Sequence, residues 1–286
     1  MRVIAMGLAL LLLASGCGDQ GVDPRVQEAY DLVVSGSVDE GIAMANAILV
    51  DDPDHAGAMN VLGLGLYKAG DAEGSIQQYL RALEVRPDFP EAHFNLGNSH
   101  VALLHRAKAE AAFRRAVELE PDFELARYNL GKIHDGAGRK EEALAEFQKC
   151  AELAPQFIPA ILSAGQLLDG KGDYPGAIGY YERLLELDPA FKEGRVLLGN
   201  AWIRSGAPDA VSRAGEQFRI AVEIDQEYLD GVYSLAVACG LMNKIDDAAR
   251  WYRRVLELAE PGSVVAVEAT RFLTTQLPPP PEGASD

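Results

Sequence analysis

The sequence is expected to fold as an all-α solenoid of about seven stacked helical hairpins closed by a C-terminal helix, and three spacings carry that expectation. Prolines fall at 53, 87, 121, 155 and 189, each 34 residues after the last. Glycines at 63, 97, 131, 165 and 199 keep the same interval. So does an aromatic at Tyr79, Phe113, Phe147 and Tyr181, preceded four places earlier by a small residue at Ser75, Ala109, Ala143 and Ala177. A period of this length marks one supersecondary unit that buries its apolar side only against its neighbours, which is the logic of a solenoid.

In chain order, residues 1–16 read as a processing segment that stands apart from the fold. Arg2 supplies a positive end. The apolar run over 3–14 would reach roughly 18 Å as a helix, short of the ~30 Å hydrocarbon core of a bilayer. Leucines at 10–13 then lead through Ala14, Ser15 and Gly16 into Cys17. That junction resembles the lipobox of bacterial lipoproteins, with Ala14 where the family prefers leucine. The resemblance implies a lipid anchor at Cys17, held stably once two or more acyl chains are attached. An ordinary secretory peptide with a chance cysteine, or an uncleaved anchor, are the other readings. Gly18 follows the cysteine and the first acid comes one place late, at Asp19, which points to the outer membrane and a periplasm-facing domain. Residues 17–21 are a short tether, and its four residues after the cysteine span roughly 14 Å.

Residues 22–262 hold seven hairpins, beginning near Val22, Ala56, Pro90, Glu124, Ile158, Lys192 and Leu229. Within a unit, Gly97 lets the first helix (A) lie close against the second (B), where Ala109 and Ala116 offer small surfaces and Phe113 fills the remaining space. Pro121 cannot sit inside a helix without losing a backbone bond, so it helps to end the hairpin. Gly70, Gly138, Gly172 and Gly206 fall near the A-to-B turns, where a helix C-cap favours positive φ. The first unit carries Ala29 for the helix-A glycine and Gly41 for the helix-B small residue; the seventh carries Ala236, and its proline is displaced to Pro261. The sixth has about three extra residues around 208–212, with Gln226 in the proline place, and a longer A-to-B turn is expected there. Residues 263–277 read as a capping helix, with Ser263 as N-cap and Val265, Ala269, Phe272 and Leu273 at helical spacing. Prolines 278–281 stop it, and residues 278–286 read as a disordered Pro-rich tail.

The segments Phe94-Asn95-Leu96-Gly97-Asn98 and Tyr128-Asn129-Leu130-Gly131-Lys132, at the 34-residue period, resemble the tetratricopeptide repeat (TPR) over residues 22–262. The resemblance implies a right-handed superhelix whose concave wall is lined by the A helices, and groove positions two, five, six, nine, twelve and thirteen of each unit. These hold Tyr30, Asn60, Leu64, Tyr67, Phe94, Asn95, Asn98, Tyr128, Asn129, Lys132, Leu162, Ser163, Gln166, Asn200 and Tyr233. Rings can take the side chains of an extended peptide while amides offer donor and acceptor to its backbone; equally, Asn95 and Asn129 could bond a neighbouring helix. Groove acids (Asp23, Glu91, Asp135, Asp169, Glu193, Asp230) outnumber groove bases (Lys68, Lys132, Arg204), which suits a neutral to basic partner segment. The carboxylate clamp of chaperone-binding TPR domains would need basic residues where Phe94, Pro159 and Ser163 stand, so capture of a terminal carboxylate is not expected.

A formal charge of −17, from 43 acidic and 26 basic residues, argues against nucleic acid as a partner. Catalysis is not expected either, since the chain has no G-x-S-x-G elbow, P-loop or H-E-x-x-H helix. His93, His100 and His134 occupy bulky packing places without further ligands at metal spacing, so neither metal nor cofactor is expected. Cys150 and Cys239 belong to repeats four and seven, too far apart to pair at about 10 Å per repeat, and read as free buried thiols. The expected function is a lipid-anchored protein–protein interaction scaffold that binds a partner segment and supports assembly of a complex. Its outline is similar to the pilot lipoproteins of type IV pilus secretins. Alternatives are a cytoplasmic TPR module, a non-catalytic subunit of an enzyme complex, or a hydrolase using His93 and Asp135.

Overall fold

The protein is described by a computed structural model over residues 23–276. The segments read as a signal peptide and as a tether with Cys17, Val22, the last residue of the expected capping helix (Leu277) and the segment read as a tail (278–286) lie outside the described residues. Every regular element among those described is a helix, and the first fourteen alternate as A and B partners. The pairs are α1 (Pro24–Ser35) with α2 (Val38–Asp51), α3 (Ala56–Lys68) with α4 (Ala72–Val85), α5 (Pro90–Ala102) with α6 (Arg106–Leu119), and α7 (Glu124–Gly136) with α8 (Lys140–Leu153). They continue as α9 (Ile158–Gly170) with α10 (Tyr174–Leu187), α11 (Lys192–Ser205) with α12 (Ala210–Ile224), and α13 (Leu229–Leu241) with α14 (Ile245–Leu258), before the unpaired α15 (Val264–Gln276).

The helices gather into two compact units, one ending at Glu146 and the other starting at Phe147, so the division falls inside α8. In the first unit the B helices α2, α4 and α6 each pack on their own A helix and on the next one, and α1 with α3 and α3 with α5 also meet A to A. The second unit repeats the pattern from α9 to α15, with α11 and α13 in A-to-A contact. The A helices of each unit therefore form one wall.

Fit between the paired helices rests on a small residue facing a large one. A Cβ placed on Gly63 would lie 2.6 Å from the Tyr79 ring, on Gly97 2.6 Å from Phe113, and on Gly165 2.8 Å from Tyr181; Gly199 meets Phe218 in the same way. No real side chain tolerates such distances, so the glycine period is the footprint of the aromatic period. Repeat one trades the roles. Ala45 stands in the aromatic register and needs no glycine opposite, so Ala29 fits, while Gly41 lies under Val33 with the Ala29 carbonyl 2.9 Å from where its Cβ would be.

A second rhythm closes each hairpin onto the next. Phe89 and Phe123 precede α5 and α7 with non-helical backbone, are buried, and accept the first helical N–H bonds from His93 and Arg127 at 3.1 Å each. The fourth residue of those repeats reaches back to the preceding proline carbonyl: His93 Nε2 to Pro87 at 2.9 Å and Arg127 Nε to Pro121 at 2.7 Å, with Arg195 Nη2 to Pro189 at 2.7 Å in the second unit. An otherwise orphaned carbonyl in each turn is thereby satisfied.

The A-to-B turns use left-handed residues. Gly36, Gly70, Gly138, Gly172 and Gly206 have φ between 66° and 106°, and the corresponding residue is Leu104 (φ 60°) in repeat three and Asn243 (φ 59°) in repeat seven. The three extra residues of repeat six do not all enter the turn: α11, the turn at 206–209 and α12 each grow by one residue. At the C-terminal end, α15 buries Ala266 and Ala269, and Phe272 stacks 4.5 Å from Tyr252. Ser263 precedes this helix, but its hydroxyl is buried without a partner, so the cap is made by its carbonyl, which accepts from Val267 N at 3.0 Å.

Candidate partner-binding surface

In the first unit the A-helix wall presents two cross-repeat amide pairs. Asn95 Nδ2 donates to Asn60 Oδ1 at 3.1 Å, and Asn129 Nδ2 donates to Asn98 Oδ1 at 2.9 Å. Each bond joins neighbouring A helices, α3 to α5 and α5 to α7, so these asparagines do bond adjacent helices. Each pair also keeps the NH2 group of Asn60 or Asn98, and the second N–H and the carbonyl of Asn95 or Asn129, outside the bond. Asn60 is buried, while Asn95, Asn98 and Asn129 are half-buried.

Around the pairs stand Tyr67 and Tyr128, both half-buried, and Lys132, exposed with its ammonium 5.8 Å from the Tyr128 ring centroid. Phe94 departs from its expected place in the groove. Its ring leans into the hairpin, 5.9 Å from Phe113 and 5.0 Å from Phe123, because two rings offer it cover that water does not. Glu91 is 7% exposed, and burial pushes its carboxyl up, as it does that of Glu120, which also feels the Glu91 charge.

In the second unit Gln166 is exposed and Asn200 half-buried. Tyr233 is not free for a ligand at its hydroxyl, which donates to Glu268 of α15, and its ring meets Tyr252 edge-on at 6.4 Å. Asp169 on α9 pairs with Arg204 on α11 at 2.6 Å; its other oxygen and the Tyr181 hydroxyl are buried without a hydrogen-bond partner. The acid excess expected in the groove is smaller than the residue list implied. Asp169–Arg204, Asp135–Lys140 at 2.5 Å and Asp23–Arg25 at 2.8 Å are internal pairs.

His100 and His134 are buried at 7% and 6% exposure, and burial lowers the His100 pKa. His134 Nδ1 stands 3.6 Å from Glu142, beyond hydrogen-bond range. Cys150 and Cys239 are not joined in a disulfide and both are buried, and desolvation pushes the Cys239 thiol up. Among the described residues no cluster of three His, Cys, Asp or Glu could hold a metal ion, and no helix is long and apolar enough to cross a membrane.

Several functional and structural residues were missed by sequence reasoning: the Phe89 and Phe123 register, the proline-carbonyl grip of His93, Arg127 and Arg195, and the furrow around Trp202 described below. The first two were visible as 34-residue repeats at positions outside the ones followed.

Stacked antiparallel helix pairs with a polar and aromatic A-helix wall define a helical-repeat solenoid of the protein-interaction class. Two family profiles described as TPR repeat and tetratricopeptide repeat match residues 63–103 and residues 94–156 and 162–228, together more than half of the chain. The chain belongs to the tetratricopeptide-repeat family. Among solved structures it is similar to the C-terminal part of a TPR repeat-containing protein from Cytophaga hutchinsonii, with 14% identity and a TM-score of 0.69 over 85% of this chain and 98% of that one. It is also similar to YrrB, described as a TPR protein with an unusual peptide-binding site (20% identity, TM-score 0.61, 68% of this chain and 97% of that one). PilF of Pseudomonas aeruginosa aligns with 18% identity and a TM-score of 0.57 over 76% of this chain and 96% of that one. At these identities the likeness is one of fold. No curated protein sequence matches the chain.

Proposed function

We propose that the protein is a non-catalytic TPR scaffold that holds an extended, neutral to basic segment of a partner protein along the A-helix wall of its first unit. The observation that carries this reading is the pair of amide bonds Asn60–Asn95 and Asn98–Asn129. Each leaves an amide NH2 and a carbonyl oxygen outside the bond on successive repeats, more openly at Asn98–Asn129 because Asn60 is buried, and an extended peptide offers unpaired N–H and C=O groups in the same alternation. Tyr67, Tyr128 and Lys132 flank the amides, and Gln166 and Asn200, with the ring but not the hydroxyl of Tyr233, are the corresponding candidates in the second unit. That YrrB, similar in fold, has a peptide-binding site adds support. A hydrolytic role for His93 and Asp135 is disfavoured, because the first is committed to the Pro87 carbonyl and the second to Lys140.

A photo-crosslinking amino acid at Tyr128, in living cells, is expected to capture one partner, and Asn95→Ala with Asn129→Ala is expected to abolish the adduct while leaving the fold intact by circular dichroism. Adducts unaffected by the double substitution would remove the amide wall from consideration.

We further propose that Cys17 carries a lipid and that the scaffold works at the bacterial envelope, in the assembly of a larger complex such as a pilus or secretin. The support is the run from Leu10 to Cys17, and similarity in fold to PilF is compatible with it. Metabolic labelling with a fatty acid is expected to mark the wild type and not Cys17→Ser, which should also leave the membrane fraction. Label on both proteins, or on neither, would refute lipidation.

A further inference from the structure

On the other side of the second unit a furrow of about 820 Å³ lies between α10 and α12, floored by α11. Three features set it apart. Its floor carries Trp202, one of only two tryptophans in the chain, at the register occupied by Leu66, His100, His134 and Leu168 in repeats two to five. The ring is only partly buried, and next to it Leu185 and Leu198 complete an apolar strip.

The second feature is the lip. Arg213 lies 4.4 Å over the Trp202 ring and pairs with Asp209 at 2.6 Å; Asp209 belongs to the stretch where repeat six departs from the 34-residue period, and Arg213 follows directly after it in α12. The lengthening of this repeat thus supplies the charged edge of the furrow.

The third is a pair of acids without ion-pair partners of their own. Glu182 and Glu186 stand one turn apart on the opposite lip, both exposed, and neither has an ion-pair or hydrogen-bond partner among the described residues. Like charges at this spacing repel, so the chain gains nothing in stability from holding them there. Of the other charges facing the furrow, Glu216 is neutralised by Arg219 and Arg213 by Asp209, while Arg195 donates to the neutral Gln217 side chain and Pro189 carbonyl. Arg195 keeps its charge and offsets one of the two glutamates, so the furrow holds a net charge of about −1 beside an aromatic floor.

We propose that this furrow is a second docking site, separate from the amide wall, that takes a basic amphipathic helix of a partner protein. A bulky apolar side chain would rest on Trp202 and Leu185, and Lys or Arg residues four apart would match the spacing of Glu182 and Glu186. A helix fits because the furrow runs between helices of 14 and 15 residues, roughly 20 Å long, and is read by anchors at helical intervals.

The test uses the full chain and a labelled 14-residue synthetic helix with lysines at i and i+4 flanking one phenylalanine, read by fluorescence anisotropy and tryptophan emission. Its analogue with glutamates for lysines is the control peptide. Wild-type protein is expected to bind the lysine peptide and not the glutamate one. Glu182→Gln with Glu186→Gln, and separately Trp202→Leu, are expected to weaken binding at least about tenfold. Leucine already fills that register at Leu66 and Leu168, so Trp202→Leu should fold. Glu84→Gln with Asp88→Asn, the same charge change at the end of α4 and in the turn that follows it, should leave binding unaltered, as should Asn95→Ala with Asn129→Ala, which separates this site from the amide wall. Absence of binding to the wild type, an equal loss with the Glu84 and Asp88 control, or indifference to the Trp202 and glutamate substitutions would each overturn the proposal.

Discussion

Leu104 holds a backbone conformation that five glycines and one asparagine adopt at the same turn, and its side chain is 89% exposed, so nothing repays the strain by packing. Left-handed backbone costs an L-residue ~1–2 kcal/mol, and glycine loses ~0.5–1 kcal/mol more on folding. Leu104→Gly is therefore expected to stabilise the protein by about 0.5–1 kcal/mol in urea denaturation, while Asn243→Gly should do little. Glu91 offers a test that depends on pH. Burial raises its folded-state pKa above the ordinary 4.5, so the folded chain binds more protons than the unfolded chain as pH climbs past that value. Stability attributable to this group is lost over that window and stays lost above it. Glu91→Gln should therefore melt higher than the wild type at pH 7 and level with it near pH 4; equal melting at both would mean that the carboxyl is well solvated in the fold. Neither property could be read from residue type: Leu104 matters through φ, and Glu91 through the cover that neighbouring helices give it.

Hairpins are coupled pieces, and the glycine–aromatic contact is the coupling. Gly97→Ala is expected to cost about 1–3 kcal/mol when Phe113 is present and close to nothing beside Phe113→Leu, measured as a double-mutant cycle by urea melts. Additive costs would show that the ring does not fill the space above Gly97. Repeat one has already made this exchange, with Ala29 facing Ala45. The alternation of A and B helices was legible because steric fit repeats with the chain: where a ring recurs, the glycine under it recurs. What did not follow was side-chain direction. Asn60–Asn95 and Asn98–Asn129 are 35 and 31 residues apart, neither of them the repeat length, so no comparison of equivalent positions reveals them. Phe94 was placed in the groove by its position, yet the rings of Phe113 and Phe123 draw it inward.

A solenoid must end its stack against water, and α15 does so for the second unit. Deleting residues 263–286 would uncover Tyr252 where Phe272 now lies on it and free Tyr233 from Glu268. Such a truncation is expected to melt earlier and to associate with rising concentration in light scattering; a monomer of unchanged stability would mean that α15 covers nothing of consequence. The candidate wall was legible in outline, since its residue types sit at family positions, but its electrostatics were not, because Asp169–Arg204 and Asp135–Lys140 neutralise charges that a list counts as free. Repeats two to five divide alike into helices of 13 and 14 residues, with connections of three and four. Unequal recombination between any two of those segments would shorten or extend the gene product by a whole number of hairpins while leaving every junction matched. Repeat six, lengthened in three places, lies outside that exchange, so related chains of different length should vary in the number of regular segments and keep this one as a fixed landmark.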